Sequence, residues 1–566
     1  MHANDYWLIA AFFTLVLVPA PWLGSYLFRA MEGERTWLTP VLEPVERLCY
    51  RAAGIDPERE QDWKHYSLAL LALTAASLMA LFAILMGQGN LPLNPQGVAG
   101  MDWPLALNTA VSFVTNTNWQ AYSGEAQLSY FSQMLGLGAQ NFISPAVGLA
   151  VLVVFCRSLT RRSSKEVGNF WVDLTRAVLY GLLPLSLMLA LLLVWQGVPQ
   201  SFASYVHVTT LQGADQTIPL GPAASQIAIK QMGTNGGGFF GVNSAHPFEN
   251  PTAWSNLFEV VSIILIPAAL VFMFGHYVRD LRQSRAILGC MLLVFVLGLG
   301  ITLVAEHQPN PALAGLAIEQ GGSLEGKESR LGIAASALWA TATSAASNGS
   351  VNAMHDSFSP LGGMVPLVNM MLGEIIFGGV GAGLYGMLLF VLITVFLAGL
   401  MIGRTPEYLG KKLEVREVRL LVATLLVMPV GVLVLVALGV SLSGPAASIG
   451  NPGPHGLSQI LYAYTSGTGN NGSAFAGFGA DTTYHDLMIA FAMLLGRFGY
   501  ILPVLAIAGS LAAKNRAPVD ANSFPTHGPL FVVLLTLVIL VVGGLTFLPA
   551  LALGPIAEHF SLLQGL

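Results

Sequence analysis

The 566-residue sequence predicts an all-α polytopic membrane protein of ten transmembrane helices. Three observations carry this. Apolar residues make up 54% of the chain and charged residues only 10%, where soluble proteins carry about a quarter charged residues. Ten apolar runs are long enough to cross about 30 Å of hydrocarbon. Four shorter apolar runs, each ending in polar backbone, recur in corresponding places between the long ones, so internal repetition governs the fold. A net charge of −5 is too small to suggest a nucleic-acid partner, and Cys49, Cys156 and Cys290 are too dispersed to indicate a disulfide framework or a zinc site.

The long runs lie near 7–29, 65–87, 129–156, 171–196, 254–276, 285–305, 366–402, 417–442, 484–511 and 529–552. The first has no basic segment before it and continues past Pro21 to Arg29, which favours a retained helix over a signal peptide. Lysine and arginine set the orientation. Arg29, Arg35, Arg47, Arg51, Arg59 and Lys64 follow the first run, and Arg157, Arg161, Arg162 and Lys165 follow the third. The same parity continues with Arg279, Arg282 and Arg285, then Arg404, Lys411, Lys412, Arg416 and Arg419, then Lys514 and Arg516. By the positive-inside rule these connections are cytoplasmic and both termini are external.

The alternate connections carry only Lys230, Lys327 and Arg330, yet they are long and hold the half-length apolar stretches near 104–117, 223–234, 332–346 and 456–469. Stretches too short to span, ending in polar backbone, read as re-entrant helices, which a membrane tolerates only where protein or water covers the loop. Aligned on an asparagine, the loops read "VTNTNWQAY", "QMGTNGGGFF", "SAASNGSVNA" and "SGTGNNGSAF", with Asn118, Asn235, Asn348 and Asn471 in the shared position. One Asn-Gly pair is an ordinary turn former. Four in corresponding places, each after a half-length helix, suggest helix/pore-loop/helix repeats in pseudo-fourfold arrangement and a ring of carbonyls like a potassium-channel selectivity filter. Gly236, Gly349 and Gly472 follow the shared asparagine and supply φ > 0, whereas Trp119 stands there in the first loop. Main-chain oxygens of Thr117, Thr234, Ser347 and Asn470 are expected to face the ion, with most side chains bonded behind the loops.

The loops "SFVTNTNWQAYSGE", "QMGTNGGGFFGVNSAHPFENPT", "SNGSVNAMHDSFSPLGG" and "YAYTSGTGNNGSAFAGF", with "EGKESRLG", "GRTPEYLGKK" and "LGRFGYILPVLAIAG", resemble the KdpA family, the potassium-binding subunits of bacterial potassium-transporting ATPases. The resemblance runs to about Pro549. It implies the fold of the superfamily of potassium transporters with an extra helix at each end: 1–64 an N-terminal helix and cytoplasmic loop, 65–165, 166–282, 283–412 and 413–515 the pore repeats, 516–566 a C-terminal helix. It also implies potassium as the transported ion, with no organic cofactor. The implied partners in the bacterial inner membrane are a P-type ATPase subunit, KdpB, and the accessory subunits KdpC and KdpF, with lipids around them. By the same resemblance the filter comprises Asn116, Thr117 and Asn118; Thr234, Asn235 and Gly236; Ser347, Asn348 and Gly349; and Asn470, Asn471 and Gly472. Gln120, just beyond the first loop, matches a glutamine that influences potassium affinity.

The chain has no DKTGT motif, no phosphate-binding Gly-x4-Gly-Lys-Ser/Thr loop, no HExxH and no GxSxG, so no catalysis is assigned to it. Arg497, Glu374 and Glu259 lie within apolar runs, where an ionisable group must face a partner or water. For Arg497 an ion pair and a free cation near the pore both fit the sequence; related transporters place an arginine there to repel a second cation. Glu374 fits either a tunnel lining or a helix break, with Arg404 at the cytoplasmic end.

The seventh run, about 37 residues, would be roughly 55 Å long as a helix. Six glycines among the 14 positions of "GEIIFGGVGAGLYG", including Gly378, Gly379, Gly381 and Gly383, suggest an unwound gate that diverts the ion into an intramembrane tunnel. Close glycine packing between helices is the competing reading. His246, His355 and His485 lack ligand spacing. The basic loop "GRTPEYLGKKLEVREVR" reads as solvated, with docking of the ATPase chain as a second role, and "HQPNPALAGLAIEQGGSLEGKESRLG" as a loop over the entrance. Two alternatives share parts of the pattern. A passive or secondary channel of the Trk/Ktr/HKT type would use the same four loops without an ATPase, and an organic-solute transporter with broken helices more commonly shows inverted repeats, whereas all four loops here enter from the same side.

Overall fold

The computed structural model describes residues 3–313, 316, 321–517 and 524–564. Among them, ten helices are long and apolar enough to cross a membrane: Ala3–Met31, Trp63–Asn90, Ser132–Thr160, Phe170–Trp195, Ala253–Val278, Leu281–His307, Ala382–Met401, Val415–Ser441, Thr483–Ala513 and Pro529–Gln564. The chain is a multi-pass membrane protein. The third, fifth and seventh of these are largely enclosed by protein, while the first, second and tenth expose most of their surface. Hydroxyls on the spans donate to carbonyls one turn back, Thr74 to Leu70 and Thr546 to Val542 among them, so they need no water.

Four short helices, Trp103–Val114, Ala223–Met232, Gly332–Ala345 and Gly453–Gly469, stand between pairs of spans. These are the pore helices of the four repeats. Their residues are almost entirely buried, including polar Asn108, Gln231, Thr341 and Thr465. The seventh apolar run is not one helix: Pro360–Met371 ends, and the next helix starts at Ala382.

The basic connections meet on one face. Gln61 and Asp62 pair with Gly168 and Glu166, and Lys411 Nζ donates to the carbonyls of Arg161 at 2.5 Å, Leu511 at 2.8 Å and Lys514 at 2.6 Å. The expectation of a wholly solvated basic loop is corrected here. Lys411 is buried because it closes the last carbonyls of the Thr483–Ala513 helix, where a cation opposes the negative end of the helix dipole. Arg157 clamps Asp173 with two bonds of 2.9 Å and reaches Glu32 at 2.8 Å, tying the first span to the first two repeats.

On the opposite face, buried Lys327 pairs with Glu306 at 2.7 Å, and Ser359 N and Oγ both donate to the same carboxylate. Part of the segment expected to lie over the entrance, 314–315 and 317–320, falls outside the described residues. His455, at the start of the fourth pore helix, lies between Asp356 at 3.1 Å and Glu558 at 2.8 Å and so joins the last helix to the third repeat. Hydrogen bonds to those two carboxylates raise the imidazole pKa from 6.5 to about 10. A group whose pKa is raised on folding contributes stability fully below its unfolded pKa and loses it as the pH passes the folded one. The melting-temperature advantage of the wild-type chain over His455→Gln in detergent is therefore expected to be full below pH 6.5 and gone above about 10. A pH-independent difference would contradict the ion-pair assignment.

Candidate ion-binding ring

Each pore helix stops inside the protein, and its last carbonyls need donors. All four end in the same way. One residue turns left-handed, Asn116 at φ 66°, Thr234 at 50°, Ser347 at 51° and Asn470 at 58°. The next amide then donates five residues back: Thr117 to Ser112 at 2.9 Å, Asn235 to Lys230 at 2.8 Å, Asn348 to Thr343 at 3.0 Å and Asn471 to Ser466 at 2.9 Å. This is the closing bond of a Schellman-type end.

The shared geometry corrects the alignment on asparagine by one residue in the first loop. Thr117, not Asn118, is the equivalent of Asn235, Asn348 and Asn471. Asn118 in turn occupies the place of Gly236, Gly349 and Gly472, not Trp119. Asn118 has φ 55°, beside 92° at Gly236 and 99° at Gly472. Asparagine is the side chain that tolerates this region best, which is why it can replace glycine there. The first loop carries threonine at the position where the other three carry asparagine, with asparagine on either side, so an alignment on asparagine passes over the true register.

In the first, second and fourth loops, left-handed residues on both sides of the central one reverse the chain twice, as a strand needs if successive carbonyls are to turn to one side. The expectation of φ > 0 at Gly349 is corrected, and that glycine is required instead by its close approach to the fourth loop's backbone. Thr234 is β-branched and strained in this region. Its hydroxyl donates to the Gly233 carbonyl at 2.7 Å and accepts from the Val380 amide at 2.9 Å.

The loops close on one another in chain order. A Cβ on Gly236 would lie 2.0 Å from the Gly349 nitrogen, one on Gly349 2.8 Å from the Asn471 oxygen, and one on Gly472 2.0 Å from the Thr117 oxygen. A Cβ on Gly237 would meet Asn118 at 2.9 Å, which completes the ring between the first and second loops. Lateral bonds run around it. Ser347 Oγ donates to the Asn470 carbonyl at 3.0 Å, and Asn470 Nδ2 to Thr117 Oγ1 at 2.9 Å. The Asn116 and Asn235 amides touch at 2.6 Å. Asn348 Nδ2 donates to the Lys230 carbonyl at 3.3 Å, as Asn471 Nδ2 does to Thr343 at 3.2 Å, so each secures the end of the preceding pore helix. Gln120 bonds both backbone groups of Gly238, at 3.0 and 2.8 Å, and joins the first loop to the second above the ring.

The break at 372–381 packs on the inner side of the ring. Gly378 N donates to the Ala345 carbonyl at 2.8 Å. Glu374 is buried with φ 51° and accepts from Asn471 Nδ2 at 2.6 Å. Gly378 and Gly383 need their hydrogens because a Cβ on either would lie 2.0–2.2 Å from the other's Cα, and Gly381 approaches the Gly148 carbonyl as closely, at 2.1 Å. Gly379 faces only side chains, at 3.3 Å and beyond. Close packing and unwinding are thus both present. A cavity of about 40 Å³ lies here, lined by Ser347, Glu374, Gly383, Asn470, Arg497 and Tyr500 among others.

Arg497 is buried and donates to the Ser144 carbonyl at 2.7 Å; among the described residues no carboxylate lies within 4.0 Å of it. It is a cation beside the ring and not half of an ion pair. Arg404 is exposed beyond the end of the 20-residue helix Ala382–Met401, about 30 Å of helix away from the break. Glu259 accepts from Gln231 at 2.8 Å, behind the second loop. His355 and His485 bond Tyr462 at 2.9 Å and Tyr464 at 3.0 Å, and His246 stacks on Phe240, so all three have structural partners.

The family model described as KdpA, potassium-transporting ATPase A subunit, matches residues 10–560. The chain belongs to the KdpA family. It is 76% identical over 562 residues to a potassium-transporting ATPase potassium-binding subunit of Pseudomonas aeruginosa, covering 99% of this chain and 100% of the relative. The subunit of that name from Rhodospirillum centenum is 60% identical over 566 residues, covering 100% and 99%. Among solved structures, the potassium transporter TrkH from Vibrio parahaemolyticus matches with a TM-score of 0.50 at 14% identity, over 87% of this chain and 97% of that one. The KdpA fold is thus similar to that of a TrkH-type transporter.

The close contacts give a stability test. Gly472→Ala forces a Cβ against the Thr117 oxygen in a left-handed residue and is expected to destabilise by about 2–5 kcal/mol. Gly544→Ala, on a helix with nothing within 4 Å, should be neutral or stabilise by up to about 1 kcal/mol. Thermal unfolding of both purified variants checks the contrast.

Proposed function

We propose that the chain selects potassium ions from the external side at this ring and delivers them through an intramembrane tunnel to a partner ATPase subunit, for ATP-driven uptake. The observation that carries the reading is the closed ring itself, four loops that end four helices with the same left-handed residue and closing bond. Each helix C-terminus brings a partial negative charge, and a ring of carbonyls replaces the water shell of a weakly hydrated cation. The family description and the relatives' names, a potassium-binding subunit of a potassium-transporting ATPase, support both the ion and an ATPase partner.

In this reading the ligands come from the backbone of Asn116, Thr117 and Asn118, Thr234, Asn235 and Gly236, Ser347, Asn348 and Gly349, and Asn470, Asn471 and Gly472. Gln120 sets the outer mouth. Glu374 and Arg497 face the cavity under the ring, the first drawing the ion through and the second opposing a second cation. The glycines at 378, 379, 381 and 383 form the gate that turns the ion sideways, with Arg404 at the cytoplasmic end. The energy comes from a P-type ATPase chain, KdpB, assembled with KdpC and KdpF in the bacterial inner membrane, and this chain does no chemistry. The face carrying Arg161, Lys411 and Lys514 is cytoplasmic, which leaves both termini outside.

The complex purified through this chain in mild detergent is expected to hydrolyse ATP in response to potassium and not to sodium. Gly236→Asp, which drives a carboxylate into the Gly349 backbone, should abolish that response. If no ATPase accompanies the chain and the reconstituted protein alone conducts potassium down a gradient, the passive-channel reading replaces this one.

A further inference from the structure

The register of the pore-helix ends identifies one position as exceptional. Ser112, Lys230, Thr343 and Ser466 are the equivalent residues whose carbonyls accept the closing amide of each loop. In three repeats a small hydroxyl there also holds its own loop. Ser112 Oγ donates to the Trp119 carbonyl at 2.9 Å, Thr343 Oγ1 to the Ser350 carbonyl at 2.7 Å, and Ser466 Oγ accepts from the Gly472 amide at 2.9 Å. The second repeat has a lysine in this place, wholly buried.

Lys230 Nζ donates to Glu249, to Asn243 Oδ1 at 2.7 Å and to Ser244 Oγ at 3.0 Å. Asn243 Nδ2 in turn donates to the Gly236 carbonyl at 2.7 Å. The other oxygen of Glu249 accepts the Phe239 and Phe240 amides at 2.5 and 2.9 Å, just beyond the loop. Ser244 and Gln231 continue the network to Glu259, and Gln231 Oε1 accepts from Asn348 Nδ2 at 3.2 Å and Ser350 Oγ at 3.0 Å in the third loop. A buried ammonium would oppose a cation in the ring unless neutralised, and Glu249 neutralises it at contact.

We infer that Lys230, acting with Glu249 through Asn243, is a positioning residue for the ion ring: it fixes the Gly236 carbonyl and the spacing of the second loop from the third, and thereby sets discrimination between potassium and sodium. The inference rests on the uptake reading above. Partners one shell removed from a bound ion alter its affinity through the ligand they orient. The network touches only two of the four loops, so its removal deforms the ring asymmetrically and weakens the preference for one ionic radius.

The test uses the whole complex and three variants: Asn243→Ser, which leaves the Lys230–Glu249 pair in place; the charge-balanced double variant Lys230→Met with Glu249→Gln; and the conservative Lys230→Arg. The readouts are the half-stimulating potassium concentration, the sodium-to-potassium ratio of stimulation, and the KM for ATP. Asn243→Ser and the double variant are expected to raise the half-stimulating concentration about tenfold or more and to admit sodium stimulation, with the KM for ATP unchanged. Lys230→Arg should restore part of the discrimination. If the double variant does not assemble, Asn243→Ser decides. Wild-type stimulation with unchanged ion preference in Asn243→Ser overturns this inference alone, whereas a wild-type complex without potassium stimulation overturns the uptake reading and this inference with it.

Discussion

A helix that stops halfway across a membrane leaves carbonyls without partners, and in hydrocarbon no water supplies donors. The rest of this structure depends on how four such ends are closed. Each bends its chain left-handed for one residue and folds the next amide back five positions, at 2.8–3.0 Å, without a glycine at the turn. The strain of Asn116, Thr234, Ser347 and Asn470 persists because the neighbouring loops leave no room to relax: backbone of one loop lies where the next would place a Cβ. Closure of the helix ends and closure of the ring involve the same four loops.

The ring is fourfold in the closure of its helix ends and not in its supports. The first loop is held by Ser112 and Gln120, the second by a lysine–glutamate pair, the third by Thr343 and Gln231, and the fourth by Ser466 and Glu374. Asymmetric supports suit a ring whose inner side opens unequally. The 372–381 break touches Thr234, Ala345 and Asn471, and the cavity beneath is lined from the third and fourth loops. Glu374 and Arg497 both line that cavity, two ionisable groups among otherwise apolar helices.

Much of this was legible in the sequence. Hydropathy located all ten spans and the four half-length helices, because a membrane forces length and composition together. The glycine run in the seventh apolar segment marked the break, since Gly378, Gly381 and Gly383 are required by backbone approach. Identity alone misplaced the first loop by one residue, because Thr117 stands where the other loops have asparagine, and the asparagine at Asn118 drew the alignment to itself. Lys230 and Glu249 are 19 residues apart and carry no motif, so only the fold brings them together. Arg497 could not be separated from an ion pair by sequence, because what decides it is the absence of a nearby carboxylate among the described residues. Lys411 was legible as a basic residue in a connection between spans but not as one closing a helix end from another part of the chain.

The central claim is that the four loop ends form one ion site, with Thr117, Asn235, Asn348 and Asn471 as equivalent residues around it. The most direct measurement is anomalous diffraction from the assembled complex in rubidium or thallium, compared with sodium. A peak on the axis between these four residues, present with the larger ions and absent with sodium, is the predicted result. An empty axis in every salt, with the ion bound elsewhere in the chain, would contradict the account.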